Sequence, residues 1–371
     1  MRIAIVDTLP VPSGNASVNR LMAYAKDLVH YGNSVSILSS ASFKVAKTES
    51  NVEIVSCGRG RSRLGALLFL LKNIRQGEFD CVILVSNSLL LIYPLWATCR
   101  FNHIKLLQEK SEFPFVLMKK GLFHRLYAKF YVNTTYRLFD GLIVMTKPLM
   151  DYFKDKVRKN CRLFEMPMTV DTERFAIEKS ESTPYGDYIA YCGNMTGNKD
   201  GVLNLIDAFS QIEDTLPSIK LLLIGGTNKP EQFEQLKAQV QDRGIKNVVF
   251  YGRATRDEMP DLLVNAKLLA LARPSSLQST GGFPTKLGEY LATGNPIVVT
   301  KVGDIPNYLN DTNSYLVEPD DNKAFANAIL EVFNDYSQAV ERGVKGIELA
   351  QSVFNSRVQS ERLNCFLQSY I

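Results

Sequence analysis

One segment of this 371-residue chain combines residue types that suit a phosphorylated, hydroxyl-rich ligand. Residues 271–300 read LARPSSLQSTGGFPTKLGEYLATGNPIVVT, a pattern that predicts a strand, a Ser/Gly-rich loop, a helix, a turn and a strand. Gly281 and Gly282 would let backbone amides approach a ligand, and the start of the following helix favours an anion. Thr285 and Glu289 share one helix face, where the carboxylate would accept hydrogen bonds from hydroxyls. The segment therefore predicts a site for a sugar diphosphate.

Three other predicted loops carry residue types that bind phosphate. Gly14 precedes the first long helix, Gly193, Asn194 and Lys199 follow the first strand of the second half, and Arg253 follows a later strand. Glycines allow close backbone approach, and Lys199 and Arg253 would supply charge or stack on a base. Each loop has a plainer alternative: a simple turn at Gly14, a solvated Lys199, and an Arg253 that only caps its loop.

The best acid–base candidates in the first half are Glu109 and Glu112, which follow a predicted strand at 104–107. The alternative is that both are surface charges. The three histidines have no triad-like context, and the H-E-x-x-H, D-x-D and P-loop spacings are absent. The sequence therefore predicts no metal ion and no other cofactor.

The elements that must position these residues alternate between short apolar strands and amphipathic helices in both halves of the chain. The strands are rich in Val, Ile and Leu on both faces, as in parallel sheets covered by helices. A polar stretch at residues 178–187 reads as an interdomain linker. The pattern predicts an α/β fold of two doubly wound, Rossmann-like domains that face each other across a cleft.

Composition and charge narrow the class of protein. The hydrophobic share of 46% supports two ordinary cores, and the six cysteines are scattered without metal-binding spacing. The apolar run at 82–99 is interrupted by polar residues and Pro94, and the chain starts without signal-peptide features, so we expect a cytoplasmic protein. Residues 1–175 hold 25 Lys/Arg against 14 Asp/Glu, whereas the remainder holds 18 against 24. The first domain would thus face something anionic.

Basic and aromatic residues interleave in residues 119–131, where Lys120, His124 and Arg125 cluster. One interpretation is that these residues contact the inner face of an anionic membrane. The alternative is an ordinary amphipathic helix that covers the sheet. No nucleic-acid-binding module is recognised.

Several phrases together resemble the retaining GT-B glycosyltransferases, the group that includes glycogen- and sucrose-synthase-like enzymes and many bacterial polysaccharide enzymes. The resemblance spans nearly the whole chain and is carried by the following phrases: Ser13-Gly14-Asn15, V-D-x-x-x-F at residues 170–175, Gly193-Asn194 through Lys199, Phe250-Tyr251-Gly252, and L-V-x-P-x-D at residues 316–321. Glu289 matches the second glutamate of the family's E-x7-E motif. Gly281 stands in place of the first glutamate, and Asn194 in place of the family's arginine.

The resemblance implies domains at residues 1–177, for the acceptor, and 186–354, for the nucleotide-sugar, with a terminal helix at 355–371 that crosses back to the first domain. It implies transfer of a hexose-type sugar, with retention, to a glycan or lipid-linked acceptor in surface polysaccharide synthesis. Glu289 would bind the ribose and Lys199 the diphosphate, with main-chain contacts from Thr285, Lys286 and Leu287. A nucleotide-sugar 2-epimerase and a non-catalytic partner protein are the alternatives.

Overall fold

The computed structural model describes residues 1–11, 16–43, 51–58, 62–114, 121–195, 199–227 and 229–371. The chain divides into two compact units, Met1–Thr169 with Ser356–Ile371, and Val170–Asn355. The phrase at 170–175 and the polar stretch at 178–187 therefore both group with the second unit. The division of acceptor and donor roles between two domains stays a prediction.

The first unit is built on a seven-stranded parallel sheet of order β3-β2-β1-β4-β5-β6-β7. Its strands are β1 (Arg2–Asp7), β2 (Ser34–Ser39), β3 (Glu53–Ser56), β4 (Cys81–Leu84), β5 (Lys105–Lys110), β6 (Gly141–Val144) and β7 (Arg162–Glu165). The first five helices described in this unit are α1 (Ala16–His30), α2 (Arg63–Gln76), α3 (Leu89–Phe101), α4 (Leu122–Thr134) and α5 (Lys147–Lys154). The interior strands β1, β4 and β6 are almost wholly buried, as the two-faced apolar pattern predicts.

The second unit has a six-stranded parallel sheet of order β10-β9-β8-β11-β12-β13. Its strands are β8 (Tyr188–Asn194), β9 (Lys220–Gly226), β10 (Val248–Gly252), β11 (Leu268–Leu271), β12 (Ile297–Thr300) and β13 (Tyr315–Val317). Its helices are α6 (Val202–Ser210), α7 (Pro230–Asp242), α8 (Glu258–Val264), α9 (Leu277–Gly281), α10 (Thr285–Thr293), α11 (Asn322–Asn334) and α12 (Tyr336–Leu349). In both sheets the strand order reverses beside the first strand of the unit, and ligands of doubly wound folds bind at such switch points.

The last helix, α13 (Ser356–Gln368), packs on α1 within the first unit. Leu363 and Leu367 are fully buried in the same apolar cluster as Leu21 and Leu28. The chain thus returns to its first unit after completing the second. None of the helices among the described residues has both the length and the apolar character needed to cross a bilayer.

The predicted α/β class and the parallel sheets are confirmed, and three elements differ from the prediction. Strand β5 continues to Lys110, so Glu109 lies within the strand and not after it. Strand β7 was not predicted, because its four residues lie at the sheet edge, are only half-buried and begin and end with charges. The Ser/Gly-rich stretch before α10 is partly helical: α9 begins after Ser276, whose hydroxyl accepts from the Ser279 amide in a capping box.

Candidate functional site

The candidate site of the second unit lies where the carboxyl end of β8 meets the start of α10. The backbone amide of Cys192, in β8, donates to the Tyr290 hydroxyl at 2.9 Å, so helix and strand are held together. Gly193 and Asn194 end the strand, and α10 begins at Thr285. The first turn of a helix and the carboxyl end of a parallel strand both suit the binding of phosphate.

Lys286 and Asp200 form a nearly buried ion pair at this junction. Lys286 Nζ lies 2.7 Å from Asp200 Oδ2, and each side chain is 12% exposed. On the other side of Asp200, Arg273 Nε lies 3.9 Å from Oδ1. Burial raises the pKa of the Asp200 carboxyl, but Lys286, Arg273 and Lys199 more than offset this, so that its pKa falls below the usual value. Three cations thus surround one carboxylate.

The Lys286 ammonium lies directly over the end of β8. A Cβ atom at Gly193 would approach Lys286 Nζ to 2.2 Å, and Gly193 has φ +152°, a backbone conformation that L side chains rarely adopt. The ammonium is also 5.0 Å from the centre of the Tyr191 ring, whose hydroxyl donates to the Asn194 carbonyl. The backbone conformation therefore favours glycine at position 193, and a side chain there would displace the end of Lys286.

Glu289 follows Lys286 by one helical turn and faces Arg174. Glu289 Oε1 lies 3.8 Å from Arg174 Nη1, and both side chains are only partly exposed. Burial raises the pKa of the Glu289 carboxyl, although Arg174, Lys286 and Arg256 act in the opposite direction. The V-D-x-x-x-F phrase, which folds into a 3-10 helix at Thr172–Phe175, thus contributes a cation to the predicted carboxylate site.

The two glycines of the predicted loop lie at the end of α9. Gly281 is the last residue of this helix, and the Gly282 amide donates to the Gln278 carbonyl at 3.2 Å. Gly282 has φ −110°, a conformation open to any residue. The expectation of a glycine loop is therefore wrong for this stretch, since a capping box at Ser276 allows a short helix there.

The remaining predicted donor residues of this unit differ in exposure. Leu287 is fully buried in the core, and its amide donates to the Pro284 carbonyl at 3.0 Å. Lys199 and Asn194 are exposed, and the Lys199 carbonyl accepts from Arg273 Nε at 3.4 Å. Arg253 is exposed after β10, with its Nη2 donating to the Thr227 carbonyl at 3.2 Å. Among the predicted donor residues of this unit, Lys286 and Glu289 thus each face a charged group of opposite sign, Asp200 and Arg174.

In the first unit, Glu109 is part of a buried polar network. Its Oε1 lies 2.7 Å from Arg20 Nε, and its Oε2 accepts from the Tyr24 hydroxyl at 2.8 Å. Arg20 also donates to the carbonyls of Met166 and Pro167, at the end of β7. Because both carboxylate oxygens already have strong partners, an acid–base role for Glu109 would require part of this network to open.

Lys110, the next residue of β5, is also buried. Its Nζ donates to Asn87 Oδ1 at 2.5 Å and lies 5.6 Å from the centre of the Tyr136 ring. Burial lowers the pKa of Lys110 to about 7, although Glu112 acts to raise it. Glu112 itself is partly buried just beyond the strand. Gly14, the remaining predicted phosphate contact, lies outside the described residues.

No group of three or more His, Cys, Asp or Glu side chains in the described part of the chain is arranged to hold a metal ion. Whether the protein works without a metal or other cofactor stays a prediction.

Known proteins resemble this chain both in sequence and in fold. Residues 186–335 match the family described as Glycosyl transferases group 1. Sucrose-phosphate synthase from Thermosynechococcus elongatus superposes with a TM-score of 0.79 at 16% identity, over 99% of this chain and 98% of that one. Anabaena HepE, solved in complex with UDP and glucose, gives 0.74 at 16% identity over 100% of both chains. WaaG, a glycosyltransferase involved in lipopolysaccharide biosynthesis, gives 0.71 at 15% identity over 98% of this chain and 99% of its own.

The chain has the GT-B fold. The resemblance to GT-B glycosyltransferases that the sequence phrases indicate is thereby confirmed, as is the predicted fold class. Two curated relatives are trehalose phosphorylases, from Grifola frondosa and Pleurotus pulmonarius. Each is 25% identical over 41% of this chain. The matched part is only 22% and 23% of their lengths, so the chain spans less than a quarter of these relatives.

Three charged residues of this GT-B chain's site were not predicted from the sequence: Asp200, Arg273 and Arg174. Asp200 follows Lys199 directly, Arg273 lies within the 271–300 segment, and Arg174 lies within the V-D-x-x-x-F phrase. All three therefore lie in or beside segments that the sequence marks as candidate sites. Their ion pairs could not be predicted, because the partners are distant from each other in the sequence.

Proposed function

We propose that this GT-B protein is a glycosyltransferase that moves a hexose-type sugar from a nucleotide-diphosphate sugar to a glycan or lipid-linked acceptor, with retention. The observation that carries the proposal is the spacing of Lys286 and Glu289. They lie three residues apart in α10, so a cation and a carboxylate project from neighbouring positions of one helix. This spacing suits the diphosphate and the ribose hydroxyls of one nucleotide.

The charges around Asp200 fit the chemistry of sugar transfer. When the sugar leaves, negative charge builds up on the departing diphosphate, and cations already in place stabilise it without reorganising. Lys286, Arg273 and Lys199 surround Asp200, which leaves an excess of positive charge at this strand end. A transfer of this kind needs leaving-group stabilisation more than a strong base, and it requires no metal ion in our proposal.

The neighbours' ligands support a nucleotide-sugar as donor. HepE is described in complex with UDP, with UDP and glucose, and with UDP-glucose. WaaG acts in lipopolysaccharide biosynthesis, and WaaB is described as a lipopolysaccharide outer core galactosyltransferase. We extend this by proposing that the chain works in surface polysaccharide synthesis at the inner face of a membrane.

Helix α4 supports contact with a membrane. Leu122, Phe123, Leu126 and Phe130 are 72%, 86%, 58% and 52% exposed, and they recur along one side of the helix. Arg125, also exposed, lies among them, and α4 contains no acidic residue. An exposed apolar stripe with basic neighbours suits the interface of an anionic bilayer. Lys120 of the predicted basic cluster lies outside the described residues.

The experiment that tests the function is nucleotide release from UDP-, GDP- and ADP-sugars, with and without a membrane lipid extract. Release that depends on the extract supports transfer, and an α-linked product from an α-linked donor supports retention. Formation of an epimeric sugar nucleotide without acceptor would instead support the 2-epimerase. Binding without turnover would support a non-catalytic partner protein.

Two variants and one control locate the activity. Glu289→Ala and Lys199→Ala should each lower release, whereas Lys237→Met, an exposed lysine of α7 paired with Glu234, should not. Unchanged release by both alanine variants would contradict the proposed site.

A further inference from the structure

The end of β8 receives its positive charge from α10. Residue 194 is a neutral, exposed asparagine, whereas the Lys286 ammonium lies over Gly193 and is nearly buried. A long side chain that starts in the first turn of α10 thus places a cation where the strand and the helix both direct backbone groups. We propose that Lys286 is the main diphosphate-binding cation of this chain, and that Asp200 competes with the diphosphate for it. This inference rests on the proposed function.

Asp200 is placed so that it can release Lys286 without losing its last counter-ion. Its Oδ2 contacts Lys286 at 2.7 Å, while Oδ1 faces Arg273 Nε at 3.9 Å. A buried carboxylate that loses its only counter-ion is strongly destabilised. Asp200 would keep Arg273, which is 1% exposed and fixed in the core, when Lys286 turns toward a phosphate. The pair therefore acts as an exchangeable contact, in which one anion replaces another on the ammonium.

Gly193 belongs to the same arrangement. The 2.2 Å approach between Lys286 Nζ and a Cβ at position 193 means that any side chain there would push the ammonium away from the strand end. Glycine at this position allows Lys286 to reach both Asp200 and a phosphate bound against the backbone of β8. The carboxylate thereby sets the affinity for the diphosphate, because it must be displaced from the ammonium first.

The test measures binding of UDP, GDP and ADP, and of the corresponding monophosphates, by calorimetry on the full chain. Lys286→Met should weaken binding of the preferred diphosphate by about tenfold to a hundredfold, the usual worth of a charged hydrogen bond. The monophosphate, which presents fewer oxygens to this cation, should be affected less. Asp200→Asn should tighten diphosphate binding, since the competing charge is gone while the shape is kept.

Lys237→Met is the matched control. Lys237 also pairs with a carboxylate, at 3.0 Å from Glu234, and also lies over an aromatic ring, at 4.5 Å from Phe233. Because Lys286→Met leaves Asp200 without one partner, the double variant Lys286→Met/Asp200→Asn is measured as well. It should be as stable as the wild type and still bind the diphosphate more weakly.

The two substitutions should change affinity in opposite directions, which a purely structural ion pair would not produce. Equal weakening by Lys286→Met and Asp200→Asn, or unchanged binding in both, would overturn the inference while leaving the glycosyltransferase proposal intact. A wild-type chain that binds none of the three diphosphates would overturn both.

Discussion

Arg174 and Glu289 lie 3.8 Å apart, so the V-D-x-x-x-F motif and the 271–300 segment meet at one place in the second unit. Arg174 comes from the V-D-x-x-x-F phrase, and Glu289 from helix α10. Burial raises the pKa of the Glu289 carboxyl, and the Arg174 guanidinium limits this rise. The carboxylate form, which accepts hydrogen bonds from hydroxyls, is favoured by this neighbour.

We expect Glu289→Gln to lower turnover without lowering stability. Since the pKa of Glu289 is raised in the folded chain, its ionisation costs stability as the pH rises through that value, and the cost is fully present well above it. Glutamine, which does not ionise, removes this cost and keeps the shape of the side chain. Thermal unfolding and nucleotide release, measured on the same preparation, test the expectation. Reduced stability with intact turnover would contradict it.

Arg174→Met should shift the pH dependence of donor binding. Without the guanidinium, the pKa of Glu289 rises further, so the loss of affinity on acidification should begin at a higher pH than in the wild type. Diphosphate affinity measured from about pH 5 to about pH 8 would show the shift. Arg342→Met is the control, because Arg342 faces Glu331 at a similar 3.9 Å. A shift of the same size in the control would contradict the assignment.

The Arg20–Glu109 pair should contribute more to the free energy of unfolding than to turnover. Its side chains are 3% and 7% exposed, so Arg20→Met leaves a buried carboxylate without its cation and should cost about 3 to 5 kcal/mol. The double variant Arg20→Met/Glu109→Leu should recover much of this loss in urea denaturation, because no unpaired charge remains. A double variant as unstable as the single one would argue against the explanation. A double variant that is stable but inactive would show that the Arg20–Glu109 pair also contributes to the reaction.

Lys110 should make stability depend on pH in the neutral to alkaline range. Its pKa of about 7 in the folded chain is below the ordinary value of 10.5, so the unfolded chain binds more protons between these values. The unfolding free energy should therefore gain from this group up to about 1.4 kcal/mol per pH unit as the pH rises through that range. Lys110→Met should remove this slope, whereas Lys105→Met, at the other end of β5, should keep it. If the unfolding free energy depends on pH in the same way in the wild type and in Lys110→Met, the lowered pKa of the buried Lys110 is refuted.

The exposed face of α4 should bind anionic vesicles. Phe123→Ser/Leu126→Ser removes two of its most exposed apolar side chains and should reduce co-sedimentation with vesicles rich in phosphatidylglycerol by about tenfold or more. Neutral vesicles and the distant variant Leu277→Ser, an exposed leucine of the second unit, serve as controls. Equal vesicle binding by the wild type and the double variant would exclude α4 as the contact.

The sequence by itself determined the α/β class, most strands and helices, and the positions at which loops carry ligand-binding residues. These features follow from local patterns: apolar runs define strands, helical periodicity defines helices, and parallel strands bring their carboxyl ends to one edge. Glu289 and Lys286 could thus be predicted as site residues, because the sequence indicates their helix and where it begins. The short helix α9 was missed because its capping box lies in a Ser/Gly-rich stretch that also favours a loop.

The tertiary structure alone decided which charges meet. Lys286 and Asp200 are 86 residues apart, and Arg20 and Glu109 are 89 apart. No periodicity relates such partners, since their meeting depends on strand order and on the paths of the loops between them. Burial lowers the pKa of Lys110 and raises that of Glu289, whereas the cations around Asp200 outweigh its burial and lower its pKa. The residue types were visible in the sequence, whereas their ionisation and pairing exist only in the folded chain.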